Sequence, residues 1–211
     1  MELTKHAHAC VTLNKGGGIL LVDPGTFALN AAELLARADT VLITHEHFDH
    51  FDEATVTAAL NARPDLKVYG PDAVTARWPD RGEQVTAVAA GDKFTASGFE
   101  VAVFGGIHAA IHADVPQVTN VGFLIDGSIY HPGDSYHVPA APVPTLLLPT
   151  SGPWTKLGEA VDFVRSVSPE QVIQIHEIML SDVGQQSTAT FLSMLTSVPL
   201  TIVAPGKSIT T

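Results

Sequence analysis

Short apolar runs, broken by helical segments and by glycine- or proline-bearing turns, organise this chain. HACVTL, the turn NKGGG and GILLVDPG read as an opening hairpin. The pattern of NAAELLARA predicts a helix before the strand TVLIT, and DEATVTAALNAR predicts a second, stopped by Pro64, before the strand KVYG. DAVTARW reads as a third helix, stopped by Pro79. A β-rich stretch follows in EQVTAV, KFTAS and FEVAVFGG, with Gly98 as a turn residue; VGFLID and SIYHPGDS then flank Asp126–Gly127, a strong two-residue hairpin signal. The last quarter alternates strand and helix through TLLLP, KLGEAVDFVRSV, QVIQI, STATFLSMLTS and LTIVAP. Each half starts with hairpins and then interleaves helices with strands. That order predicts two β-sheets packed face to face with helices outside, in the α/β (α+β) class. No Pro/Gly/Ser linker separates the halves, so residues 1–211 are expected to form a single domain.

Composition narrows the function. The chain has 211 residues, 45% of them hydrophobic, with a mean hydropathy of +0.22, enough for a substantial core and unlike a disordered chain. Only 16% are charged, and 22 acids against 11 bases give a net charge of −11, which argues against a nucleic-acid partner. The N-terminus MELTKHAHACVTL lacks the apolar core of a signal peptide, and no segment reaches the length of a membrane span. Cys10 is the only cysteine, so no internal disulfide can form; it reads as a small buried hydrophobe in a cytoplasmic protein.

The chemistry concentrates in THEHFDH, residues 44–50, which holds three of the ten histidines immediately after the apolar VLI. On a strand exit, alternate residues share a face, so His45, His47 and Asp49 can converge, with His50 close by. Imidazole and carboxylate suit zinc, iron or manganese. Four such donors exceed what one tetrahedral ion uses while keeping a position for water, so either one donor orients another or two metals bind. Three further apolar runs deliver similar groups at their exits: His108 and His112 after FEVAVFGG, His131 and Asp134 in SIYHPGDS, and His176, followed by Glu177, after QVIQI.

HEHFDH, a post-strand histidine, GDS and a late strand–His, in that order and spacing, resemble the metallo-β-lactamase superfamily of metal-dependent hydrolases. HAHACVTL…ILLVDPG resembles the first hairpin of that family, and the likeness spans about His8 to His176. It implies a four-layered αββα sandwich of two mixed β-sheets and a site for two divalent ions, zinc first, with manganese or iron as alternatives. His45, His47 and His108 would hold the first ion and Asp49, His50 and His176 the second. Asp134 would bridge both together with a water or hydroxide, and Asp49 could also aim that nucleophile.

His108 is preferred to His112 as the third ligand because it lies nearer the strand end; His112 is then a loop residue or a substrate contact. His8 and His131 are expected to orient ligands, with core packing as the alternative. Trp154, in TSGPWTK after TLLLP, reads as a packing residue or a wall of the pocket.

Asp134 stands where many true β-lactamases of this fold carry cysteine, which argues against antibiotic hydrolysis. His47 stands where di-iron oxygen-reducing relatives carry glutamate, which favours hydrolysis over redox chemistry. The chain is also too short and too acidic for the nucleic-acid-cutting relatives. Its length, SIYHPGDS and LLLPTSGPW most resemble the branch that includes sugar-phosphate lactonases and an N-acylphosphatidylethanolamine phospholipase, implying hydrolysis of a lactone or phosphodiester in a small-molecule substrate. A mononuclear iron, sulfur-oxidising oxidoreductase and a non-catalytic metal-binding protein are the competing readings. A homo-oligomer is compatible with the sequence.

Overall fold

The structure, a computed structural model, describes residues 1–211. The first sheet contains β1 (Glu2–Lys5), β2 (Val11–Lys15), β3 (Gly18–Val22), β4 (Thr40–Leu42), β5 (Lys67–Gly70) and β6 (Val85–Ala87). The second contains β7 (Lys93–Ala96), β8 (Phe99–Gly105), β9 (Val121–Ile125), β10 (Ile129–His131), β11 (Thr145–Pro149), β12 (Gln171–Ile175) and β13 (Leu200–Thr201). The chain ends in β14 (Ser208–Thr210), which returns to the first sheet beside β1.

Helices α1 (Ala31–Arg37), α2 (Glu53–Ala62), α3 (Asp72–Thr75), α4 (Leu157–Val167) and α5 (Asp182–Leu195) connect the strands. Asp52 starts α2 by accepting the backbone N–H of Thr55 at 3.1 Å, and Ser181 does the same for α5 through Gly184 at 3.2 Å. No helix is long and apolar enough to cross a membrane.

Strand alternation sorts the apolar side chains into three cores. Leu20, Val22 and Leu42 face the second sheet and pack with Val101, Phe123, Leu147 and Ile175. Their neighbours Leu21, Val41 and Ile43 face outward and pack with Leu35 of α1 and Val56 and Leu60 of α2. In the second sheet Leu146, Leu148 and Val172 face outward, against Val161 and Val164 of α4 and Leu192 of α5. Two sheets covered by helices on both outer faces make the expected αββα sandwich.

Each sheet is mixed. Strands β1 to β3 pair antiparallel and β3 to β6 parallel; β7 to β10 pair antiparallel and β10 to β13 parallel. The parallel halves need crossovers, and helices provide all but that from β10 to β11, which is the loop 132–144. Asp126 and Gly127 form the expected tight turn between β9 and β10, both with positive φ (51° and 58°).

Four segments differ from the sequence reading. β1 and β14 escape it because MELTK and SIT are too short and polar to show alternation; their partners make them strands. DAVTARW is helical only over Asp72–Thr75, and LTIVAP is a strand only at Leu200–Thr201.

Candidate metal centre

The carboxyl ends of β3, β4, β8, β10, β11 and β12 and the start of β2 meet at one edge of the sandwich, where ligand-bearing loops of such sheets gather. His45, His47, Asp49 and His50 follow β4, His108 follows β8, Asp134 follows β10, His176 follows β12, and His8 precedes β2. The structure brings all eight together. Their donor atoms form three overlapping groups, each within 4.8 Å: His45, His47 and His108; His45, His50 and Asp134; and His8, Asp49, His50 and His176.

Asp134 lies between the outer groups. Its Oδ1 is 3.0 Å from Nε2 of His50 and 3.1 Å from Nε2 of His176, while Oδ2 is 3.3 Å from Nε2 of His108. Oδ2 also accepts the indole N–H of Trp154 at 2.8 Å. Trp154 therefore does more than pack. It fixes one oxygen of the central carboxylate.

Four of the imidazoles are aimed by their Nδ1 atoms. Nδ1–H of His108 donates to the carbonyl of Ala109 at 2.6 Å, and that of His176 to the carbonyl of Ser151 at 2.7 Å. His50 donates to Oδ2 of Asp23 at 2.6 Å. His45 donates to Oγ1 of Thr44 at 3.0 Å, and the Thr44 hydroxyl donates in turn to Asp23 at 2.8 Å. These bonds leave each Nε2 lone pair directed at the cluster.

Asp23, completely buried, thus steadies a histidine of each outer group, and it also accepts the backbone N–H of Thr44 at 2.8 Å. The sequence carried a signal for it: an acid directly after the apolar GILLV, the same strand-exit pattern that marked the candidate ligands. Asn120 was invisible in the sequence. Its side chain accepts the N–H of Asp134 at 2.9 Å and donates to the carbonyl of Pro132.

His8 and His131 are hydrogen-bonded around the cluster. Nε2 of His8 donates to Oδ2 of Asp49 at 3.1 Å, and its carbonyl accepts the N–H of His176 at 3.1 Å. Unlike the candidate ligands, its Nδ1 has no partner. His131 donates from Nε2 to the carbonyl of Ala9 at 2.9 Å and accepts the N–H of Gly133 at Nδ1, at 3.2 Å. It is therefore a neutral tie between the loops of His8 and Asp134, and burial lowers its pKa. His112 does not join. It is exposed beside Asp114 in the loop after β8. Glu177 turns away from the cluster, its Oε1 2.6 Å from the buried ammonium of Lys5.

Backbone strain accompanies this placement. His8, Asp23 and His176 have positive φ (59°, 49° and 56°), a conformation that costs L-residues about 1–2 kcal/mol each. At Gly25 no side chain fits, because a Cβ would lie 1.9 Å from the carbonyl oxygen of Asp49.

These residues fit divalent cations. Nε2 of His50, His108 and His176 and Oδ1 of Asp134 are buried without a properly aligned hydrogen bond, an arrangement costly unless an ion completes it. Donor separations of 3.0 to 3.3 Å around Asp134 approximate the edge of a tetrahedron built on metal–ligand distances of about 2.0–2.2 Å. Electrostatics agree. Burial opposes charge on His50, yet the Asp134 and Asp23 carboxylates raise its pKa well above the imidazole range. Burial likewise opposes charge on Asp134, and His50 and His176 still hold it well below the carboxylate range. The cluster thus favours positive charge between its carboxylates, as metal ligation requires. Burial keeps His45 neutral, with its lone pair available.

A four-layered sandwich with an HxHxDH cluster at its strand ends defines a class of metal-binding fold, and the comparisons agree. The β-lactamase superfamily domain matches residues 2–176. The chain belongs to that family. It is 34% identical to protein Rv0786c of Mycobacterium tuberculosis, with 86% of each chain covered. It is 30% identical to a UPF0173 metal-dependent hydrolase of Methanosphaerula palustris, with 83% of each covered. Among solved structures it is similar to Igni18, a metallo hydrolase of Ignicoccus hospitalis, with a TM-score of 0.75, 19% identity, and 99% of this chain and 97% of that one covered.

Proposed function

We propose that this protein is a metal-dependent hydrolase that holds two divalent cations, zinc first, and cleaves an ester-like bond, a lactone or a phosphodiester. His45, His47 and His108 would hold one ion, Asp49, His50 and His176 the other, and Asp134 both. The observation that carries this reading is the division of Asp134, with one oxygen facing His50 and His176 and the other facing His108. The superfamily match and the named metal-dependent hydrolases among the relatives support the same reaction class.

Cations held there would supply Lewis acidity, which lowers the pKa of a water toward ~7. The chain's own residues set the geometry. Trp154 and Asn120 hold the Asp134 loop, so its carboxylate is in place before substrate arrives. Asp49, on the solvent side and steadied by His8, can accept a hydrogen bond from the attacking water and aim it. Burial opposes charge on Asp49, but the His176 ring 3.5 Å away and the hydrogen bond from His8 keep it ionised, so it serves as an acceptor throughout.

A substrate panel tests the reaction class. Metal-loaded protein should hydrolyse lactones or phosphodiesters, lose that activity with a chelator, and leave penicillins intact. Oxidation of a thiol or persulfide with iron bound, and no hydrolysis, would overturn the proposal.

A further inference from the structure

The loops around the centre are poor in cations. Segments 23–30, 43–52, 106–120, 132–144 and 176–181 contain no lysine or arginine. The segment 150–156 contains only Lys156, whose ammonium lies 3.8 Å from Glu159. Arg77 approaches from beyond α3, but Glu46 (3.1 Å) and Glu53 (3.8 Å) engage it. Lys5 is buried against Glu177 and the carbonyl of His6. An anionic group carried away from the reacting bond therefore meets no unpaired ammonium or guanidinium.

Beside His108 a cleft of about 550 Å³ opens between Gly105–Ala109 and Ser135–His137. Many of its polar groups are already engaged. The backbone N–H groups of Gly106, His108 and Ala109 are bonded to the carbonyls of Asn120, Val118 and Asp134. The Tyr136 hydroxyl donates to the carbonyl of Pro149, the Gln117 amide to that of His108, and the Ser135 hydroxyl to that of Pro132. With those groups engaged, the cleft presents mainly apolar surface, and the His137 imidazole is its one free polar side chain.

Large apolar side chains also stand exposed in the cleft and on the loops that carry the candidate ligands. Ile107 at the cleft is 59% exposed, Phe48 between His47 and Asp49 is 63% exposed, and Met179 after His176 is 58% exposed. Large exposed apolar groups around a concave site mark a binding surface.

Taking the hydrolytic reading as given, we infer that the substrate is an uncharged carboxylic ester or lactone with a hydrocarbon portion that lies in the cleft beside His108 and against Ile107. The cleft suits a hydrocarbon chain better than a second, remote anion such as that of a sugar phosphate, which would meet only the His137 imidazole there. In the reaction, the oxygen of water bonds to the acyl carbon and the acyl carbon–oxygen bond breaks. The leaving oxygen takes a proton, giving a carboxylic acid and an alcohol, or one hydroxy acid from a lactone.

The test compares neutral acyl esters and lactones of two to eight acyl carbons, below micellar concentration, with bis(4-nitrophenyl) phosphate and a phosphorylated lactone, on zinc-loaded protein. A buried methylene contributes about 0.8 kcal/mol, or roughly 4-fold. With partial burial, kcat/KM should rise at least ~10-fold from the shortest to the longest acyl chain. The phosphate-bearing compounds should be slower than the long-chain esters, and Ile107→Ser should shrink the long-to-short ratio. Independently of turnover, the neutral ketone 2-decanone should bind metal-free protein more tightly than decyl phosphate, followed by Trp154 fluorescence in a Trp78→Phe background. A flat chain-length profile, preferred hydrolysis of the phosphates, or tighter binding of decyl phosphate would overturn the inference and leave the hydrolytic reading standing. Failure to hydrolyse any ester, lactone or phosphodiester would overturn the hydrolytic reading and the inference with it.

Discussion

Nδ1 of His50 lies 2.6 Å from Oδ2 of Asp23, both side chains fully buried, and this contact turns Nε2 of His50 toward the centre. The same carboxylate reaches His45 through the hydroxyl of Thr44. Loss of an acceptor that orients metal-binding histidines costs about 10- to 100-fold in metal affinity. Asp23→Asn should therefore weaken both ions by that order, although Asp23 is assigned to neither. Chelator competition on the folded variant checks this; affinity equal to the parent's would contradict it.

His108→Ala should lower metal content and abolish turnover, because its Nε2 is buried, unpartnered and 3.3 Å from Asp134. His112→Ala should retain both ions, since that ring is exposed beside Asp114. Metal analysis of the two variants separates them, and the reverse pattern would move the assignment to His112.

Trp154→Phe removes the hydrogen bond to Oδ2 of Asp134 while keeping an aromatic ring in place. A hydrogen bond to a charged group contributes about 1.5–3 kcal/mol, so kcat/KM should fall roughly 10- to 100-fold. Unchanged kinetics would show that the indole only packs.

The metal-free protein should lose stability in mild acid. Burial lowers the pKa of His8 to about 4. The unfolded imidazole takes its proton near about 6.5, so between these values the unfolded chain binds more protons. Stability therefore falls as pH drops through that window, by up to ~1.4 kcal/mol per pH unit for this one group. In His8→Asn, which tolerates the left-handed backbone at φ 59°, that contribution should vanish and the acid loss should be shallower. Urea denaturation at several pH values reads the slope, and an identical slope in the variant would refute the assignment.

Much of the centre was legible because each candidate ligand stands where an apolar run stops. Runs such as VLI, FEVAVFGG and QVIQI signal buried strands, and in this topology their exits share one edge, so His45, His108 and His176 meet despite their separation in sequence. The fold was legible for the same reason, with helices interleaved among strands in each half. What the sequence hid depends on partners. Asn120 acts through the loop of Asp134, and nothing in its neighbourhood marks it. Trp154 reads as packing or a pocket wall until its indole is seen against a carboxylate. β1 and β14 are strands only because each pairs with the other, and β1 with β2.

The central claim is a pair of ions held by residues divided about Asp134, and elemental analysis of purified protein and of His176→Ala tests it most directly. The account predicts two divalent ions per chain in the parent and, in the variant, loss mainly of the one shared with Asp49 and His50. A single ion per chain in the parent, unchanged in His176→Ala, would contradict it.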